Sequence, residues 1–196
     1  QIGRQVPVEQ EELGEIYPQD RSGLAHQGAD VYRSLGCSAC HTRQVRGDAN
    51  DIPRYGQRIT VAADYLCDQP VQLGSVRIGP DLANIGVRQT NAVWHFTHLY
   101  NPKLVVPDSI MPAYPYLFGK SPRRPGRKLA DDSMVVVEAG QEFEIRPSLK
   151  AQQLAGYLLT LRAEGTLFEA TIPPPPGSKA VRASHAAPVA AGVTNK

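Results

Sequence analysis

Apolar positions recur with helical spacing in three places along the chain. Leu24, Gly28, Val31, Tyr32 and Leu35 mark one face of a first helix, and Gly36 supplies the residue that commonly ends one. A second helix is predicted through Ala92 to Tyr100, capped by Asn91 or Thr90 and closed by Asn101-Pro102, because a residue before proline avoids helical angles. A third begins at a Ser148 cap, carries the stripe Ala151, Leu154, Ala155, Leu158 and Leu161, and is expected to end at Gly165. Residues 42 to 80 hold scattered Gly, Pro and Asp with short apolar runs, which predicts a long loop with one helical turn near residues 61 to 66. Alternation over residues 134 to 146, around Ala139-Gly140, predicts a small β-hairpin. Pro102, Pro107, Pro112 and Pro115 stiffen the segment that holds Met111 into an extended one that cannot be an interior strand or a helix.

The ends lack such patterns. Residues 1 to 23 read as an extended polar arm, and residues 168 to 196 as a Pro-rich mobile tail with too little apolar bulk to fold. Between them, residues 24 to 167 form one domain, since 196 residues is thin for two full cores. Seventeen prolines and seventeen glycines promise many loops. No window reaches the roughly 18 to 20 apolar residues that a membrane span needs, and an anchor ahead of Gln1 is an expectation that concerns membrane contact. A formal charge of +2, from 21 basic and 19 acidic residues, gives no strong field for nucleic acid or anionic lipid. The basic cluster of residues 120 to 128 contains no aromatic side chain for base stacking and reads as a solvated loop.

The chemistry centres on GCSACH, residues 36 to 41. A thioredoxin-type pair would open a helix after a strand, whereas here a helix precedes the cysteines. A zinc site would need a second Cys/His cluster, and the only other cysteine is Cys67, with His95 and His98 as distant partners. Covalent attachment of one c-type haem explains the whole pattern: the thiols of Cys37 and Cys40 reach two vinyl groups and the imidazole of His41 coordinates iron. Such a group would also complete a modest apolar core.

The sixth ligand decides what the iron does. Met111, held among prolines, is favoured over Met134, which opens a strand with Val135 to Val137. His95 or His98 would instead give bis-His ligation and a lower potential, but both are expected to face solvent or a subunit contact. Ligation by His and Met makes a low-spin electron carrier with no open position for catalysis. The second N–H of His41 needs a carbonyl, and Pro80 in RIGPDL is the candidate. Arg54, Tyr55, Arg58 and Arg77 are candidate donors to the haem propionates. Cys67 and Trp94 read as buried core residues.

Together the helix with Gly28 and Tyr32, CSACH, GPDL, the Met loop and the last helix with Tyr157 resemble a class I cytochrome c. More specifically, GADVYRSLGCSACHTRQVRG, RYGQ, GSVRIGPDLANIG, WHFTHLYNP and VVPDSIMPAYPYL, from about Gly28 to Phe118, resemble the mono-haem, FixO-like subunit II of cbb-type haem-copper oxidases. The resemblance implies a mostly α, class I cytochrome c fold with long loops; residues 119 to 147, which contain the expected small β-hairpin, are an insertion without counterpart in it. It implies that Cys37 and Cys40 carry the thioethers and that His41 and Met111 are the axial ligands. It also implies one-electron transfer from a c-type cytochrome donor toward a catalytic subunit, on the periplasmic face of a bacterial inner membrane, among other respiratory-complex subunits. The alternatives are a subunit of another respiratory complex, a periplasmic shuttle, or a haem enzyme or gas sensor with an open iron position. With haem the net charge falls to about +1 oxidised and about zero reduced, too weak to steer a diffusing carrier and so favouring a fixed partner.

Overall fold

Helix α1 (Gly23–Ser34) buries Ala25, Gly28, Val31 and Tyr32 on one stripe, and helix α5 (Leu149–Leu159) answers with Ala151, Leu154, Ala155, Tyr157 and Leu158. The two cross so closely that a Cβ on Gly28 would lie 1.9 Å from the Gln153 carbonyl oxygen. Beside the crossing, the rings of Tyr32 and Tyr157 meet at 5.3 Å. The structure is a computed structural model and describes residues 5–10, 14–48, 50–170 and 172. The Pro-rich tail expected beyond Ile172 lies outside these residues.

Local chemistry sets the other helix ends. Asn91 caps α4 (Ala92–Tyr100), its side chain accepting from the Val93 and Trp94 N–H groups, and Ser148 caps α5 by accepting from Ala151 N–H. Gly36 follows α1 at φ 71° and donates to the Arg33 carbonyl. Helix α5 stops at Leu159, six residues before the expected Gly165, because its last turn tightens: Thr160 and Leu161 donate to the carbonyls of Tyr157 and Leu158. Leu161 is still buried, but in the loop beyond the helix.

The long loop holds more structure than its sequence pattern suggests. Asp48 accepts from the Asn50 and Asp51 N–H groups and starts the short helix α2 (Asp51–Tyr55). A 3₁₀ turn spans Ala62–Tyr65, and a second short helix, α3 (Ile85–Arg88), lies against α5, where Gly86 donates to the Leu161 carbonyl. The proline-rich segment contains two 3₁₀ turns, Pro102–Leu104 and Pro115–Leu117, each with proline in its first turn, where no N–H is missed. This corrects the expectation that the segment is extended throughout.

The N-terminal arm forms a hairpin of β1 (Val8–Gln10) and β2 (Glu15–Tyr17). It is tied to the domain by Tyr17, whose hydroxyl donates to Asp64 at 2.5 Å. The expected hairpin is present as β4 (Met134–Glu138) and β5 (Gln141–Pro147), turning at Ala139 and Gly140 with φ of 49° and 79°. A third strand, β3 (Phe118–Pro122), pairs with β5, so the sheet order is β3-β5-β4 and the first residues of the basic cluster are strand rather than loop. Met134, Val136 and Ile145 point into the same core as the helices, and Phe118 packs edge-on against Phe96 and Tyr100 of α4. The fold is thus five short α-helices and two small antiparallel sheets among the described residues.

We expect Gly28→Ala to destabilise the folded chain by about 1–3 kcal/mol, the usual cost of overpacking. Thermal melting of the purified chain checks this, and an unchanged midpoint would show that the α1–α5 crossing is looser than described.

Candidate functional site

The turn after α1 brings three reactive side chains together. Gly36 reverses the chain, a 3₁₀ turn follows over Cys37–Ala39, and the Cys37 carbonyl accepts from both Cys40 N–H (3.1 Å) and His41 N–H (3.0 Å). Cys37 and Cys40 are half-buried and not joined to one another. Cys37 packs against the main core, and burial pushes its thiol up to about 11. A thiol of that kind is neutral and a poor redox nucleophile, which sets it apart from the activated cysteine of a dithiol oxidoreductase.

A second segment clamps the first. The Cys40 carbonyl accepts from Ile78 and Gly79 N–H, both at 2.9 Å, Leu82 N–H donates to the Thr42 carbonyl, and Arg43 N–H donates to that of Leu73. This pairing sets His41 Nδ1 at 2.7 Å from the Pro80 carbonyl oxygen. A carbonyl only accepts, so the ring proton belongs on Nδ1, and Nε2 keeps its lone pair for a metal. Gly79 lies against the imidazole, where a Cβ would come within 2.3 Å of Cε1.

Buried polar groups lock the clamp from below. Asp81, fully buried, accepts from Thr42 Oγ1 (2.6 Å), Gln44 N–H (2.6 Å) and Ala83 N–H (2.8 Å). Arg77 donates to Asp51 (2.6 Å), Thr42 Oγ1 (2.9 Å) and the Gln44 carbonyl (2.8 Å). Arg58, only 1 % exposed, gives its N–H groups to both oxygens of Asp64 and to the carbonyls of Ile59 and Gly165. Two of the four candidate propionate donors are therefore engaged with protein acceptors. Arg54 is exposed and lies over the ring of the buried Tyr55, and neither has a side-chain hydrogen bond among the described residues.

The methionines occupy different settings. Met134 is buried in β4, and its sulfur accepts from Thr97 Oγ1 at 3.1 Å. Met111 is half-buried, packs against the edge of the main core, and is steadied by its own N–H to Ser109 Oγ (3.3 Å) and by Tyr114 N–H to the Leu99 carbonyl of α4 (2.9 Å). Of the two α4 histidines expected to face solvent or a subunit contact, His95 is instead buried, and His98 is half-buried. His95 is 2 % exposed and its Nε2 is 2.9 Å from the Gln89 carbonyl. His98 stacks on the half-buried Trp94 at 4.8 Å, with Nδ1 buried and without a partner among the described residues. Burial, then His95 and His41, hold its pKa down at about 4. Cys67 is likewise only partly buried, its thiol raised by desolvation.

Two features escape sequence reasoning. Tyr32 has a buried hydroxyl with no partner among the described residues and lies near enough to Cys37 to feel its charge, as His98 does that of His41. Tyr114 is raised by burial first and then by Cys37, Tyr116 and Cys40. Two thiols that are not joined to one another and an imidazole with free Nε2, with the unsatisfied Tyr32 hydroxyl and His98 Nδ1 nearby, fit a haem attached through the cysteines. Among the described residues no three His, Cys, Asp or Glu side chains gather as a metal cage, and no helix is long and apolar enough to cross a membrane. A family model described as cytochrome c oxidase, mono-heme subunit/FixO matches residues 10–157, a range that includes the sheet. No curated protein matches the chain.

Hydrogen bonding from Arg77 holds the Asp51 carboxyl below its ordinary value of 3.8. Its stabilising contribution is therefore present above pH 3.8 and is lost as pH falls through the depressed value. We expect Asp51→Asn to cost about 1–3 kcal/mol near neutrality, since Arg77 keeps Asp81, and the gap to wild type to close in stronger acid. Melting curves at both pH values check the sign, and a gap that widens in acid contradicts it.

Proposed function

Because the chain belongs to the FixO family, the mono-haem subunits of cytochrome c oxidase, we propose that it is a one-electron relay of a membrane respiratory complex built on a class I cytochrome c fold. In this reading Cys37 and Cys40 hold the haem covalently, and His41 and Met111 take the two axial positions. The observation that carries it is the 2.7 Å contact from His41 Nδ1 to the Pro80 carbonyl, which leaves Nε2 free to bind a metal. The haem supplies a one-electron couple, whose potential a thioether ligand raises.

The chain's own groups do the rest. Pro80 fixes the tautomer of His41 and adds electron density to its ring. Gly79 lets the loop close on that ring, and His41 with Met111, were both to hold the haem iron, would leave oxygen and peroxide no place on it. Arg54 and Tyr55, whose donors are unspent, are the candidates to meet the propionates, whereas Arg58 and Arg77 hold the loops in place. The loops around the site expose apolar side chains, Val76 and Ile78 on one and Leu104, Val106 and Ile110 on the other. We assign these to docking of the electron partners: a c-type cytochrome donor and the catalytic haem-copper subunit, on the periplasmic side of the membrane.

A second reading rests on His98, whose buried Nδ1 has no partner among the described residues. In it, His98 rather than Met111 is the sixth ligand. Met111→Ala separates the two. We expect the variant to turn from low-spin to high-spin, to bind carbon monoxide and to fall in potential. A variant that stays low-spin and inert to carbon monoxide would rule out Met111 and point to His98.

A further inference from the structure

The three-stranded sheet carries a surface that electron transfer leaves unused. Strands β3 and β5 and the turn after β3 enclose a cavity of about 430 Å³, lined by Lys120, Arg123, Arg124, Arg127, Glu144 and Arg146 among others. Five cations thus face one carboxylate. Three of the five have acidic partners: Lys120 bonds Glu138, Arg123 Nε lies 3.1 Å from Glu142, and Arg146 lies 2.7 Å from Glu144. Glu144 also accepts from Arg146 Nε at 2.8 Å, and it is held below the ordinary carboxylate range chiefly by that neighbour, so its charge is already compensated.

What remains is cationic and unspent. Arg124 and Arg127 form no ion pair among the described residues. Arg123 Nη1 is buried without a hydrogen-bond partner among them, an arrangement that costs free energy unless an acceptor arrives. The turn that presents these groups is set by its backbone. Arg123 N–H donates to the Glu142 carbonyl (3.0 Å), Arg127 N–H to that of Arg124 (3.3 Å), and Gly126 takes φ 79°. Pro122 and Pro125 stiffen it further.

Guanidinium forks match oxyanions in pairs of parallel hydrogen bonds, and a phosphate offers more oxygens than a carboxylate to donors converging from several sides. The cavity is within the roughly 300–1,000 Å³ range of small-ligand sites. We propose that this cavity binds a phosphate group, either free or as the headgroup of a phospholipid. The site is independent of the haem reading.

The test uses the haem-loaded full chain at low ionic strength, where such contacts are least screened. Inorganic pyrophosphate is titrated by calorimetry, and phosphatidylcholine vesicles with and without phosphatidylglycerol are assayed by co-sedimentation. Arg124→Ala with Arg127→Ala is compared with Lys103→Ala with Lys150→Ala, which removes equal charge elsewhere. We expect the arginine pair, and not the lysine pair, to weaken binding about tenfold or more, as loss of charge-assisted bonds should. Pyrophosphate binding with that dependence shows a site open to free phosphate, and the same dependence with phosphatidylglycerol vesicles alone shows a headgroup site. Binding of neither probe, no effect of the arginine variant, or equal loss in the lysine control overturns the proposal.

Discussion

Everything at the cysteine turn depends on one backbone pairing, the clamp of residues 40–43 by residues 73–82. Its bonds to the Cys40, Thr42 and Leu73 carbonyls fix where the Pro80 carbonyl sits, and that carbonyl fixes the ring of His41. Neither part suffices alone. An imidazole next to a free loop would rotate and exchange tautomers, whereas a clamped loop with a side chain at position 79 would push the ring aside.

The clamp is stable because its polar underside is satisfied. Asp81 is fully buried, yet four donors meet its carboxylate, Arg77 among them at 3.4 Å, and Arg77 also spans from Asp51 to Thr42 across the loop. Removal of one partner would strand a buried charge, which is costlier than never having buried the pair. Farther out, Arg43 donates to both Asp68 (2.5 Å) and the Tyr157 hydroxyl (2.8 Å), so the segment just past His41 is joined to the last helix. The α1–α5 crossing therefore positions the cysteine turn from one end and Tyr157 from the other.

Much of this was legible from local pattern, and the rest was not for identifiable reasons. Helix starts at Asn91 and Ser148 and the stop at Gly36 could be read because a cap acts within four residues. The end of α5 could not, because it is set by a tightened last turn at Thr160 and Leu161, whose carbonyl accepts from Gly86 N–H of α3, rather than by Gly165. The pairing of β3 with β5 joins Phe118 to Pro147, and the Tyr17–Asp64–Arg58 cluster joins segments as far apart, so no short window contains their signal. His95 was misplaced despite an available clue. Val93, Trp94, Phe96, Leu99 and Tyr100 surround α4 with apolar bulk, and a helix apolar on nearly every side is buried. The haem chemistry was read from residue types at fixed spacing, GCSACH and the proline-flanked Met111, and the structure adds the neighbours that would tune it.

The central claim is that iron is held between His41 Nε2 and the Met111 sulfur. Near-infrared magnetic circular dichroism of the oxidised, haem-loaded wild-type chain tests it most directly, because the charge-transfer band reports the axial pair. A band typical of histidine–methionine ligation is the expected result. A bis-histidine or high-spin signature in the unmodified protein would contradict the account.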